Sequence, residues 1–189
     1  MQEKLNRLKE IIGEAADLTS AAAVLGWDQE VYMPEGGIRS RSQQISTLSR
    51  LAHEISTSDE AGKLLEELLP YAAELEPDSD DARLIRVARR RYDKRVKVPG
   101  KWVAENAELT SQAYGVWAQA RQENDFARFQ PYLERIFDLR REYSEYFQPY
   151  AHIYDALLDD YETGMKTKEV QAIFDAIRPE QVALVKEIT

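Results

Sequence analysis

Residues 2–25 read QEKLNRLKEIIGEAADLTSAAAVL, and the spacing of apolar residues in this stretch decides the fold class. Leu5, Leu8, Ile11, Ile12, Ala15 and Leu18 recur at i, i+3, i+4 and i+7, the repeat that puts side chains on one face of an α-helix. Ala21 to Leu25 continue it, so the predicted helix runs from about Gln2 towards Glu30, weakened locally by Gly13 and Gly26. The same period governs nearly every later segment, and none alternates cleanly enough for a strand. The chain is therefore expected to be all-α, an array of about seven or eight mostly antiparallel helices in a single helical domain over 1–189.

Beyond the first helix, Met33-Pro34-Glu35-Gly36-Gly37 reads as a loop and Ile38 to Ile55 as a second helix. Ser58 and Asp59 suit the N-cap of a third, with Leu64, Leu65, Leu68 and Leu69 as its buried side before Pro70 disturbs it. A basic helix follows over about 81–97, its inner stripe Leu84, Ile85, Val87, Ala88, Tyr92 and Val96. Two long helices, roughly Lys101–Glu123 and Asp125–Gln148, are joined by little more than Asn124, a link that predicts antiparallel neighbours. Leu109, Ala113, Val116, Trp117 and Ala120 would then face Phe126, Phe129, Leu133, Ile136, Phe137, Leu139 and Tyr143. A shorter segment, His152–Tyr161, leads to a turn at Thr163-Gly164, and a last helix starts near Thr167 with Pro179 placed to kink or restart it. Val182, Leu184, Val185 and Ile188 are still in pattern at the terminus.

Bulk composition narrows the function classes. The net charge of −9 argues against nucleic acid as a partner, because phosphate binding needs a positive face. No apolar run approaches a membrane span, and the N-terminus lacks the apolar core of a signal peptide. With no cysteine there are no disulfides or thiolate metal sites, in keeping with a cytoplasmic location. Charge is uneven, however: Arg83 to Lys101 holds nine Lys/Arg against the single acid Asp93. Such a run is ordinarily a solvated helix face. Its alternative use is to hold an acidic partner, which would make the chain a stand-alone helical interaction module.

A search for chemistry finds no complete active site. His53-Glu54 opens like the zincin motif His-Glu-x-x-His, yet Thr57 occupies the second ligand position, so His53 reads as a polar-face side chain. His152 precedes Asp155 by about one turn, the spacing of a local hydrogen bond. Neither Glu-x-x-His pairs, a thiol nucleophile, a Gly-x-Ser-x-Gly elbow nor a phosphate-binding glycine loop is present. Asp155, Asp159, Asp160 and Glu162 cluster in sequence and read as a solvated acidic helix end.

Three stretches resemble the carboxypeptidase Taq family of zinc metallocarboxypeptidases. The first is Leu25-Gly26-Trp27-Asp28-Gln29-Glu30-Val31-Tyr32-Met33-Pro34-Glu35-Gly36-Gly37. The second is Arg90-Arg91-Tyr92-Asp93-Lys94-Arg95 with Val98-Pro99, followed by Trp117 and Asp125-Phe126-Ala127-Arg128-Phe129. The third is Tyr154-Asp155-Ala156-Leu157-Leu158-Asp159-Asp160-Tyr161-Glu162, after which the family continues Pro-Gly and this chain has Thr163-Gly164.

The resemblance implies the N-terminal part of a larger helical metallopeptidase that removes C-terminal amino acids from peptides, acts as a homodimer and uses zinc or another divalent metal. His-Glu-x-x-His, a downstream Glu ligand and the basic residues for the substrate carboxylate would lie in a further C-terminal portion, the natural partner of this one. On that reading the chain holds no catalytic and no metal-binding residue, is inactive alone, and forms a wall or lid of the cleft. Trp27, Asp28, Gln29, Tyr154, Asp155, Asp159, Tyr161 and Glu162 are its candidate cleft-lining or bracing residues. An apolar surface is expected where the remaining portion would pack.

Overall fold

In the computed structural model, which describes residues 1–188, the periodic residues of the first stretch form α1, Gln2–Val31. Thr189, the last residue of the expected domain, lies outside the described residues. A 3-10 turn at Glu35–Gly37 reverses the chain into α2, Ile38–Ser56. Then follow α3, Asp59–Glu74; α4, Asp80–Arg95; α5, Gly100–Glu123; α6, Phe126–Glu145; the short α7, Asp155–Leu158; and α8, Thr167–Ile188. Every regular element among the described residues is a helix, with no strand. Packing groups the chain into two compact units, Met1–Ile136 and Phe137–Thr189, the division falling inside α6.

Local chemistry explains where the helices start. The Ser58 hydroxyl accepts the Ala61 N–H at 3.3 Å and the Ser79 hydroxyl that of Ala82 at 3.4 Å, satisfying amides that have no intrahelical partner. Acidic residues follow each cap, Asp59 and Glu60 in α3 and Asp80 and Asp81 in α4, where they complement the helix dipole. At the end of α5, Asn124 takes a left-handed conformation (φ 55°), and the Asp125 carboxylate then accepts the Arg128 N–H at 3.2 Å to begin α6.

The apolar core of the first unit joins the N-terminal half of α1 to α3 and α4. Leu5, Leu8 and Ile11 meet Leu64, Leu65, Leu68 and Ile85 there, all buried. Leu69, expected on this face, is 37% exposed at its margin. α3 continues through Pro70 to Glu74, because buried Leu68 and Ala72 hold the backbone on both sides of it. Of the predicted inner stripe of α4, Ile85 is buried and Leu84, Ala88 and Tyr92 pack on the core, whereas Val87 and Val96 are each 49% exposed.

A second packing surface, between α2 and α5, is built from small side chains. Ile38 reaches Gly115, Ser42 meets Gln112 at 3.4 Å, the Ser46 hydroxyl donates to the Ala104 carbonyl at 2.9 Å, and Gly100 lies beside His53. Rising numbers on α2 meet falling numbers on α5, so the two helices are antiparallel. A Cβ on Gly115 would stand 2.8 Å from the Ile38 methyl, which is why glycine occupies that position.

The expected α5–α6 seam holds only in part: Phe129, Leu133 and Ile136 are half-buried and Leu139 is buried, whereas Phe137 is 54% exposed. Polar side chains link α6 to α5 within the first unit: Arg135 pairs with Glu105, and Arg128 reaches Gln119 at 2.6 Å and Glu123 at 3.0 Å. Phe126, assigned to that seam, is 63% exposed. The short link at Asn124 sets the direction of the chain, but the small residues of α2 and α5 permit the closer approach and take the packing.

Two changes to the core have opposite local logic and the same sign. Leu68→Ala, at a fully buried position, is expected to cost about 2–5 kcal/mol of unfolding free energy. Gly62→Ala would gain up to about 1 kcal/mol in helix propensity, yet its new Cβ would fall 2.3 Å from the Tyr92 hydroxyl where α3 meets α4. Net destabilisation in urea titration is the expected result for both.

Candidate functional site

The Trp-Asp-Gln run ends α1 and is fastened from two other helices. The Arg41 Nη2 on α2 pairs with the Asp28 carboxylate at 2.6 Å, and its Nη1 donates to the Leu25 carbonyl at 2.6 Å. A guanidinium at this place also faces the negative end of the α1 dipole. Its Nε is buried without a hydrogen-bond partner among the described residues. From α5, the Ser111 hydroxyl donates to Gln29 Oε1 at 2.6 Å while Gln29 Nε2 donates to the Ser111 carbonyl at 2.9 Å. The Asp28 carbonyl accepts both the Tyr32 and Met33 N–H groups at 2.9 Å, which turns the chain into the Met33–Gly37 loop.

Trp27 stands apart from this fastening. It is 56% exposed and packs edge-on against Tyr32, with ring centroids 5.4 Å apart. The structure thus consumes the polar atoms of Asp28 and Gln29 locally and leaves the Trp27 ring on the surface. Sequence inspection missed Arg41 and Ser111. Neither belongs to the motif, and only folding brings residues so distant in the chain to it.

In the second unit the acidic run organises a turn. Asp155 is buried; its Oδ1 accepts the Thr167 N–H at 2.8 Å and the Thr167 hydroxyl at 2.7 Å, tying α7 to the start of α8. These donors hold its carboxyl below the usual carboxylate range, with the His152 N–H at 3.4 Å helping. His152 and Asp155 therefore meet through the His152 backbone, in place of the ring contact that their spacing suggested. The ring Nδ1 accepts the Tyr154 N–H at 3.1 Å. Asp159 accepts the Gly164 N–H at 2.9 Å, and Gly164, at φ +82°, occupies the conformation for which glycine is suited. The Tyr143 hydroxyl donates to the Asp160 carboxylate at 3.3 Å; burial and that negative charge push its ionisation above the ordinary tyrosine value. Tyr154, Tyr161 and Glu162 are exposed, Tyr161 at 87%.

His53 is half-buried against Val98, whose backbone bonds its ring, and burial lowers its imidazole below the ordinary value. On the basic helix, Arg83 pairs with Asp78 at 3.0 Å, Arg89 with Asp93 at 2.8 Å, and Arg86 donates to the Pro77 carbonyl at 2.6 Å. Among the described residues no group of three or more His, Asp or Glu side chains is placed to hold a metal ion. None of the described helices is long and apolar enough to cross a membrane.

Residues 7–189 match the family described as Carboxypeptidase Taq (M32) metallopeptidase. Thermostable carboxypeptidase 1 of Thermus thermophilus is 33% identical over 180 residues, covering 90% of this chain and 35% of that protein. The protein of the same name from Pyrococcus furiosus is 36% identical over 169 residues, covering 89% and 33%. Among solved structures, BsuCP superposes with a TM-score of 0.91 at 27% identity over 99% of this chain and 37% of that one. Trypanosoma cruzi metallocarboxypeptidase 1 does so with a TM-score of 0.77 at 27% identity, over 100% and 38%. The chain spans about a third of the length of the curated relatives it matches.

Two substitutions probe the fastenings. Arg41→Ala is expected to cost about 1–3 kcal/mol, since it strips a charge-assisted partner from Asp28 and a donor from Leu25; Arg41→Lys should recover less than half, having no second planar N–H to offer. Asp155 titrates below its ordinary value of 3.8 in the folded state, so its contribution is fully present above that pH and is lost as pH falls through the folded value. Denaturation of wild type and Asp155→Asn should accordingly differ at neutral pH and converge on acidification below 3.8.

Proposed function

Because the chain belongs to the carboxypeptidase Taq (M32) metallopeptidase family, we propose that it forms the N-terminal wall or lid of the cleft in a metal-dependent carboxypeptidase that removes C-terminal amino acids from peptides. The observation that carries this reading is the family match over residues 7–189, joined to the superposition on enzymes roughly three times as long. A divalent metal such as zinc, held by the remainder of such an enzyme, would supply the polarisation of the scissile carbonyl and the activation of water. The residues of this chain position peptide and exclude solvent, and the 189-residue chain by itself is inactive. Its compartment is the cytoplasm, in keeping with a sequence free of cysteine.

Exposure divides the motif residues by role. Asp28, Gln29, Asp155 and Asp159, whose polar atoms are taken up by nearby backbone and side chains, brace the loops that shape the wall. Trp27, Tyr154, Tyr161 and Glu162 keep exposed surface and line the cleft, where a peptide reaches them.

The test compares the purified 189-residue chain with a polypeptide of the relatives' full length. Release of C-terminal amino acids that a chelator abolishes is expected from the longer protein, and none from the shorter. Metal-dependent turnover by the 189-residue chain, or no release by the longer one, would sink the proposal. Within the longer enzyme, Trp27→Ala is expected to raise KM several-fold with little change in kcat, as loss of a peptide contact does.

A further inference from the structure

Between α1 and α4, both within the first unit, lies an open trough of about 630 Å³, a size at which small-molecule sites are found. Ile12, Ala16, Leu84 and Ala88 line it, with half-exposed Val87 on its wall. The alanines leave it unfilled where longer side chains would close it. Water held against such an apolar surface is readily displaced by an apolar ligand.

The two ends of the trough differ, and helix direction shows how. Lys4 pairs with Glu67 at 2.9 Å and Arg7 with Glu60 at 2.7 Å, so rising numbers on α1 meet falling numbers on α3. Gly62 lies beside Tyr92, and Arg89 faces the Glu66 charge, so α3 is antiparallel to α4 as well. α1 and α4 therefore run in the same direction. At the shared early end, charge is cancelled locally by the Lys9–Asp81 pair at 2.7 Å and the Arg83–Asp78 pair at 3.0 Å. At the late end Arg91 and Arg95 of α4 stand with Thr19 and Ser20 of α1 around the same cavity. Neither the Arg91 guanidinium nor the Ser20 hydroxyl has a hydrogen-bond or ion-pair partner among the described residues.

This polarity selects the occupant. An acidic helix would seek basic charge along the length of a groove, whereas here unspent charge and a free donor are gathered at one end of an apolar floor. A ligand with one anionic head and one apolar tail matches both, and the planar guanidinium offers paired N–H groups to a carboxylate. Back from Arg91 to Leu84 the floor extends about 10 Å along α4 at 1.5 Å per residue, room for an alkyl tail.

We propose that the trough between α1 and α4 is a binding site for a long-chain fatty carboxylate, its head on Arg91 and Ser20 and its tail over Ile12, Ala16, Leu84 and Ala88. The inference stands apart from the peptidase reading, since the ligand is bound and not hydrolysed.

Titration calorimetry of the purified 189-residue chain with dodecanoate, kept below its micelle concentration, is expected to show saturable one-to-one binding. A fully buried methylene contributes about fourfold in affinity and a trough open on one side keeps about half of that free energy, so decanoate should bind about fourfold more weakly. Dodecanol, with the same tail and no charge, should bind about tenfold more weakly than dodecanoate. Arg91→Ala should weaken dodecanoate about tenfold and leave dodecanol unchanged, whereas a merely structural role would weaken both. Val87→Glu, at an exposed wall position, should keep its helicity by circular dichroism and lose dodecanoate binding. A polypeptide of the relatives' full length should bind dodecanoate as the shorter chain does. The proposal would be overturned by absence of saturable binding, by equal affinity in wild type and Arg91→Ala, or by binding that survives Val87→Glu. Loss of binding in the longer polypeptide, or adsorption to anionic phospholipid vesicles in place of the free carboxylate, would overturn it equally.

Discussion

The Arg41 guanidinium, shared between the Asp28 carboxylate and the Leu25 carbonyl, is the interaction on which the first unit depends. It joins α2 to the end of α1 where the chain must reverse, and it places positive charge beside the negative end of the α1 dipole. Gln29 makes the matching connection to Ser111, so α5 is held to the same end. With these three helices tied at one place, the angle at which α1 leaves for α3 and α4 is set by packing alone. Such bonds are individually modest in water, but within this half-buried junction each also prevents a polar group from being left unpaired.

Two kinds of packing share the load. Large aliphatic side chains of α1, α3 and α4 remove apolar surface from water, the usual driving force of a helical core. Small residues of α2 and α5 contribute little apolar area, yet they let the backbones approach closely, and the Ser46 hydroxyl spends its hydrogen bond on the facing Ala104 carbonyl. The second unit follows a third route. It relies on carboxylates, Asp155 at the start of α8 and Asp159 at the Gly164 turn, which explains why an acidic run that looked solvated is partly buried and partly engaged.

Two of the three stretches that carry the resemblance are where the chain is fastened: the end of α1 by Arg41 and Ser111, the start of α8 by Asp155. Exposed Trp27 beside bonded Asp28 and Gln29 illustrates how one short motif divides into a surface group and its support. The basic helix shows a similar division, with Arg83 and Arg89 paired locally and Arg91 bordering an open groove.

Helix existence, type and most boundaries were legible in the sequence because they depend on local rules: the 3.6-residue apolar period, Ser58 at an N-cap and Asn124 at a C-terminus. The family was legible for a related reason, since motif letters and their order survive without coordinates. Tertiary structure alone decided the rest. That α5 packs on α2, with Phe126 left exposed, depends on how closely Gly115 and Ser42 let backbones approach, a property no apolar period encodes. Arg41 and Ser111 were equally invisible, because hydrogen bonds between residues 82 positions apart, as in Gln29 and Ser111, arise only when the fold brings their helices together.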